Sequence, residues 1–261
     1  MRSLSIAATG MLAQQLNVEV ISNNIANMST TGFQRRRAEF QDLLYQSQRA
    51  VGSTSSASGS VVPVGVQVGL GVKTAAVYRV TTQGSLTNTG NTFDVAIKGQ
   101  GYLQVTLPNG ETAYTRSGSL QLSATGQIVT ADGYTVLPGI TVPSNSTGVT
   151  INPSGEVLVK ISGQTTPQNV GQFQIATFPN SAGLQAIGDN LLNQTAASGT
   201  AVTGSPGDAG FGTLSQGFLE AANVNVVSEI TSLITAQRAY ELNSRVIQAS
   251  DEMMSTLNQL R

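Results

Sequence analysis

The stretch ANVNVVSEITSLITAQRAYELNSRVIQASDEMMSTLNQLR, residues 222–261, decides how this chain is read. From Phe218 onward there is neither glycine nor proline, the two residues that weaken a helix most. The pattern predicts one long helix, with Asn223 or Asn225 as its cap and Glu229 in an early turn, where an acidic group suits the helix dipole. Roughly 35 to 38 residues at 1.5 Å each make a rod on the order of 55 Å long, more than a small neighbouring domain needs. Advancing about 100° per residue, Leu233, Tyr240, Ile247 and Met254 fall on one face. Ala239, Leu242, Val246, Ala249, Met253, Leu257 and Leu260 form a second face, roughly 140° away by the same rule. One partner helix cannot cover both.

The chain supplies one other long helix. Residues 4, 7, 11, 14, 18, 21, 25 and 28 read Leu, Ala, Met, Gln, Val, Ile, Ile and Met. This alternating spacing of three and four is that of a coiled-coil seam, interrupted at Gln14. Gly10 costs about 1 kcal/mol relative to alanine inside a helix, which implies either a close approach of another backbone or a tolerated cost. Gly32 supplies the expected helix stop. With this helix on one face of the last, the five larger side chains of the other face leave about 8 to 15 kcal/mol of burial unclaimed, at roughly 1.5 to 3 kcal/mol each. Identical subunits are the simplest cover. Isolated helices are marginal in water, so both ends are expected to be largely mobile in a free subunit and to order on assembly.

Between these helices the pattern changes. In SNNIANMSTTGFQRRR, residues 22–37, Asn23, Asn24 and Asn27 sit where the spacing says helix. Their amides either serve helix–helix contacts, donating and accepting at once, or merely fray a helix end. Arg35, Arg36 and Arg37 either pair with carboxylates of a neighbour or form a solvated basic turn. Residues 38–49 prolong the helix or start another. VGSTSSASGSVVPVG, residues 51–65, is a linker or an arm ordered on contact. From about Val72 to Phe178 the period is two, in runs such as GYLQVTLP, SLQLSA and EVLVKI, punctuated by Asn109-Gly110, Asp132-Gly133 and Pro153-Ser154-Gly155 as turns. Residues 179–217 carry only short strands or loops.

The expected fold is therefore α+β: long amino- and carboxy-terminal helices paired as a coiled-coil-like core, a central all-β domain and an extended linker. Residues 1–31 with 223–261 form the helical assembly domain, 32–72 with 211–222 the arm, and 73–210 the β-rich outer domain.

Composition narrows function. Charged residues are 10% of the chain, against roughly 25% in an average soluble protein. The net charge of -1 offers no field for nucleic acid or an anionic membrane. Cysteine, histidine and tryptophan are absent, which removes the thiolate and imidazole nucleophiles and the commonest zinc ligands. No catalytic residue, cofactor or metal is expected. Gly99-Gln100-Gly101 starts like a phosphate loop, but Gln104 stands where a third glycine belongs. Asp94, Glu111, Asp132 and Glu156 read as turn carboxylates before they read as a glycosidase pair. The amino terminus reads as mature sequence, and no run approaches the roughly 18 apolar residues of a membrane span. A surface adhesin would not need helical ends with two apolar faces, and a membrane-inserting pore former would want more lysine and arginine on the polar flanks.

Three segments, in order, resemble the axial proteins of the bacterial flagellum, the family of rod, hook and hook–filament junction. SNNIANMSTTGFQRR is similar to the family's amino-terminal signature. DVAIKGQGYLQV followed by YTRSGSLQLSATGQIVTADGYTVLPG resembles its shared β region, and ANVNVVSEITSLITAQRAYELNSRVIQASDEMM its carboxy-terminal signature. The resemblance implies a structural subunit, exported unfolded through the flagellar type III apparatus without a cleaved signal and added to a hollow helical homopolymer. It implies terminal helices in the inner core and a β domain facing the P and L rings. Proximal rod and hook proteins would be the partners at the two ends, with no nucleic acid and no membrane insertion. The candidate assembly residues are Leu4, Met11, Val18, Ile21, Asn23, Asn24, Ile25, Asn27, Met28, Gly32, Phe33, Arg35, Arg36, Arg37, Ile230, Leu233, Tyr240, Leu242, Val246, Ile247, Met253, Met254, Leu257 and Leu260. The arm from Gln46 to about Val68 resembles the segment that separates the stiff rod from the flexible hook.

Overall fold

A computed structural model describes residues 2–49 and 64–259, and only the backbone of Leu257. The Gly/Ser-rich stretch from 50 to 63 and Leu260 lie outside the described residues. The architecture is α+β, with a helix near each end and strands between. The chain divides into two compact units: Met1–Ile25 with Arg36–Tyr78 and Val226–Arg261, and Ala26–Arg35 with Arg79–Asn225.

The first unit holds α1, Arg2–Ala26, and α2, Val226–Gln259. They run antiparallel. Ser250 Oγ lies 3.4 Å from Ser3 Oγ, Asn243 lies against Gly10, and Asn24 Nδ2 donates to Glu229 Oε2 at 3.1 Å. Each step forward on α1 is matched by an equal step back on α2, in multiples of seven residues. Seven residues are nearly two turns of helix, so the same faces stay opposed along the pair. The buried side chains of α1 are Ala7, Ala13, Val20, Ile21 and Asn24, and those of α2 are Glu229, Ala236 and Ser250. The seam is thus built largely of small and polar residues. Leu4, Met11, Val18 and Ile25, placed by their spacing at its centre, sit half-buried on its flank.

A two-stranded ribbon completes this unit. Strand Arg36–Asp42 pairs with Val72–Arg79, and strand Tyr45–Arg49 pairs antiparallel with Val66–Gly69. Residues 38–49 are therefore not helical. AEFQDLLYQSQR is rich in good helix formers, but the valines of 66–77 offer a partner strand, and pairing across the chain overrides local preference.

The second unit carries the main hydrophobic core. Its nine-stranded sheet centres on Tyr102–Thr106, which pairs with Thr112–Thr115, Thr135–Val136 and Ile175–Thr177. A three-stranded antiparallel sheet, Ser146–Ile151, Glu156–Ile161 and Gln168–Gln172, packs its apolar residues into the same core. Alternation sorts the central strand: Leu103 and Val105 join Ile97, Phe173 and Ile175 in one cluster, while Tyr102 joins Tyr114, Phe178 and Leu192 in another. The turns at Asn109-Gly110, Asp132-Gly133 and Ser154-Gly155 each place glycine at positive φ.

One buried ion pair ties the base of this unit together. Arg116 Nε donates to Glu220 Oε2 at 2.6 Å, and its other nitrogens donate to the carbonyls of Ile97, Gly99 and Gly101. Glu220 also accepts from the Gly84 N–H through Oε1 and from the Gly32 N–H through its backbone carbonyl. Gly32 lies six residues past the end of α1, so it is not the helix stop. Its φ of +69° and a position where a Cβ would meet the Arg116 and Ser117 backbone at 2.7 Å explain why only glycine fits.

Candidate assembly interface

The structure separates the two apolar faces of α2. Leu233, Ile247 and Met254 are half-buried along the line of Glu229, Ala236, Asn243 and Ser250, the line that meets α1, and Tyr240 continues it at 44% exposure. The second face stays open: Leu242 is 62% exposed, Val246 47% and Met253 60%. Ile230 and two residues the spacing did not single out, Val227 and Ile234, extend the open surface toward the start of the helix. Leu12 on α1 is also exposed. The side chain of Leu257 and all of Leu260 lie outside the described residues.

The asparagines have separate fates. Asn24 is 1% exposed and fully engaged within the chain. Its Oδ1 accepts from Arg36 N at 2.8 Å, and its Nδ2 donates to Arg36 O at 2.8 Å and to Glu229 Oε2. It therefore joins two helices of one subunit. Asn27 accepts from Thr30 Oγ1 in the turn after α1, where Met28 is exposed, and Asn23 lies on the exposed side of the helix. Asn223 does not sit at the start of α2. Its Oδ1 accepts from Arg35 N at 2.7 Å, and its Nδ2 donates to the carbonyls of Val80 and Thr82. Asn225 is the residue immediately before the helix. Phe33 is half-buried, and its carbonyl accepts from Asn223 N. Arg36 and Arg37 are exposed, and neither makes an ion pair among the described residues.

Gly10 marks a close approach, though to a side chain and not to a backbone. A Cβ there would lie 3.0 Å from Asn243 Nδ2. The pairings of Ser3 with Ser250 and of Asn24 with Glu229 escaped the sequence reading. Their signal was the recurrence of small or polar residues every seven positions, at 229, 236, 243 and 250, inside a pattern read only for its large apolar members.

The ribbon is as open as the second face of α2. Leu44 is 82% exposed and Tyr45 58%, and Val66 and Val77 are exposed as well. Tyr45 has its hydroxyl pKa raised, chiefly by its hydrogen bond to Asp42 and by that carboxylate's charge. A two-stranded ribbon is at best marginal alone. Among the described residues there is no cluster of metal-binding side chains, and no helix is long and apolar enough to cross a membrane.

Long helices with an uncovered apolar face, joined to a well-packed β unit, define a subunit that completes itself by association. The comparisons with known proteins say which. Residues 4–34 match the family of flagella basal body rod proteins, 96–159 the D1 domain of the flagellar hook protein FlgE/F/G family, and 215–260 the carboxy-terminal region of flagellar basal body rod FlgEFG proteins. Over its full length the chain is 60% identical to the flagellar basal-body rod protein FlgG of Caulobacter vibrioides, all of which is covered. It is 51% identical to FlgG of Agrobacterium fabrum, over 99% of this chain and 98% of that one, and 39% identical to FlgG of Bacillus subtilis, over 100% and 99%. The chain belongs to the flagellar basal-body rod protein family. It is a structural subunit and not an enzyme.

Proposed function

We propose that this subunit polymerises into the distal rod, a hollow, rigid helical shaft that transmits torque from motor to hook and carries the export channel. The observation that carries this reading is the uncovered apolar surface of α2, made of the second face together with the exposed side chains at the start of the helix. Val227, Ile230, Ile234, Leu242, Val246 and Met253 still have about half of their surface to hide, on the order of 5 to 10 kcal/mol per subunit at roughly 1.5 to 3 kcal/mol for each full burial. Copies of the same chain supply the cover. In that arrangement α1 and α2 act as a coiled-coil-like unit of the inner core, and the β unit faces outward to the P and L rings. Proximal rod and hook proteins continue the shaft at its ends, the rod spans the periplasm, and each subunit arrives through the flagellar type III apparatus without a cleaved signal.

The ribbon supports a stiffening role for the arm from Gln46 to Val68. Its two legs pair from Tyr45↔Gly69 to Arg49↔Val66, so they leave and return together and present exposed apolar side chains that a neighbour can clamp. Deleting residues 46–68 is expected to leave a polymer that bends, and straight rods from the deletion would refute the role.

Electron microscopy of the purified chain at high concentration tests the main proposal. Tubes of uniform diameter are expected. A chain that stays monomeric at every concentration, with both helices fully formed by circular dichroism, would overturn it.

A further inference from the structure

The contacts that join α1 to α2 differ in their power to fix alignment. Ser3 with Ser250 and Gly10 with Asn243 bring small or polar groups together at heptad spacing, and the rest of the buried seam is Ala7, Ala13 and Ala236 with Val20 and Ile21. Sliding one helix past the other by seven residues sets Ser3 opposite Asn243 and Gly10 opposite Ala236, which again puts small or polar residues together. The same slide brings Asn17 opposite Glu229. Asn17 and Asn24 lie a heptad apart on one helix face and carry the same amide, so the side chain that meets Glu229 does not by its own chemistry tell the two alignments apart.

The ribbon does. Arg36 engages the Asn24 amide twice, giving its N–H to Oδ1 and taking one amide proton at its carbonyl, both at 2.8 Å. This orients the group, and the second amide proton then points at Glu229 Oε2, 3.1 Å away. Asn17 is half-buried and makes no side-chain hydrogen bond among the described residues. A single buried polar pair inside an otherwise permissive seam is a known way to select one register from several.

We infer that Asn24, oriented by the Arg36 backbone and received by Glu229, is the positioning residue that selects the helix register. Register decides which apolar residues of α2 face neighbouring copies. That consequence rests on the assembly proposed above, whereas the register is a property of one chain.

The chain has no cysteine, so engineered pairs report the alignment cleanly. Ser3→Cys with Ser250→Cys reads the present register, and Ser3→Cys with Asn243→Cys reads the slid one. Disulfide formation within single full-length chains is followed by gel mobility at low concentration, with trimethylamine N-oxide added to favour the ordered helices. The first pair is expected to close about tenfold faster than the second, the scale of one buried hydrogen bond left unmade. Asn24→Leu is expected to abolish or reverse that ratio, and Asn17→Leu to leave it unchanged. Glu229→Gln keeps an accepting oxygen and is expected to keep the ratio. Arg36→Pro, which removes the orienting N–H and leaves Asn24 in place, is expected to act like Asn24→Leu and guards against a variant whose helices do not form. An unchanged ratio in both Asn24→Leu and Arg36→Pro overturns the proposal, as does an equal shift in Asn17→Leu. A chain that keeps the expected ratios but never polymerises supports the register and counts against the assembly.

Discussion

The two units of this chain bury different kinds of surface. The β unit hides Phe173, Ile97, Leu103, Ile175 and a run of valines almost completely, whereas the helical unit hides mainly alanines, Val20, Ile21 and polar groups and leaves many of its large apolar side chains in the open. The first pattern is that of a domain that closes its own core, and the second that of a part shaped for others to finish. One chain thus joins a region that buries its large apolar side chains to a region that leaves many of them exposed.

Substitutions that should affect one region and spare the other probe this contrast. Phe173→Ala is expected to cost the β unit about 3 to 5 kcal/mol, the usual penalty for emptying a buried aromatic site, and chemical denaturation would measure it. If helix content on assembly fell as steeply as the stability of the β unit, the two regions would not be independent. Arg116→Met alone is expected to cost about 3 to 5 kcal/mol, because it strands Glu220 in the interior. Arg116→Met with Glu220→Met should be milder, and comparison of the three melting curves gives the coupling.

On the helical side, Leu242→Ser with Met253→Ser should leave the dilute subunit within about 0.5 kcal/mol of the parent. The same pair should raise the concentration needed for polymer by at least about tenfold, given roughly 1 to 3 kcal/mol lost per side chain, and sedimentation reads both quantities. Gly10→Ala gains about 1 kcal/mol of helix propensity but crowds Asn243, so a modest net loss of assembled helix is expected by circular dichroism. A gain would mean that the helices stand further apart than the structure shows. The smallest effect is one of pH. Burial raises the Tyr114 hydroxyl pKa above 10, so the folded β unit holds this proton more tightly than the unfolded chain. Its contribution is complete below about pH 10 and fades as pH rises through the folded value. Tyr114→Phe should flatten the alkaline limb of the melting temperature against pH.

The sequence made the large rhythms legible. Both helices lie where their spacing placed them, and the Asn-Gly and Asp-Gly turns are turns, because these signals are local. The residues between α1 and the β unit were not legible in the same way. Residues 38–49 lack β-branched side chains, and their strand character comes from valines some twenty to forty positions later in the chain. Gly32 looked like a helix stop, and its reason lies in the backbone of Arg116, which no local pattern reveals. Asn24 read as one of three similar asparagines, and only Arg36 and Glu229 distinguish it. The seam of α1 was displaced for a related cause: large apolar residues at coiled-coil spacing mark the sides of this helix pair, since its middle is made mostly of small and polar ones.

The helix pair draws one member from each side of everything in between. A chain that lacks either end has nothing to pair the remaining helix with, and on the proposed assembly it would reach a growing polymer without a finished contact surface. Under the proposed assembly, an intact chain is thus the geometric condition for a finished contact surface.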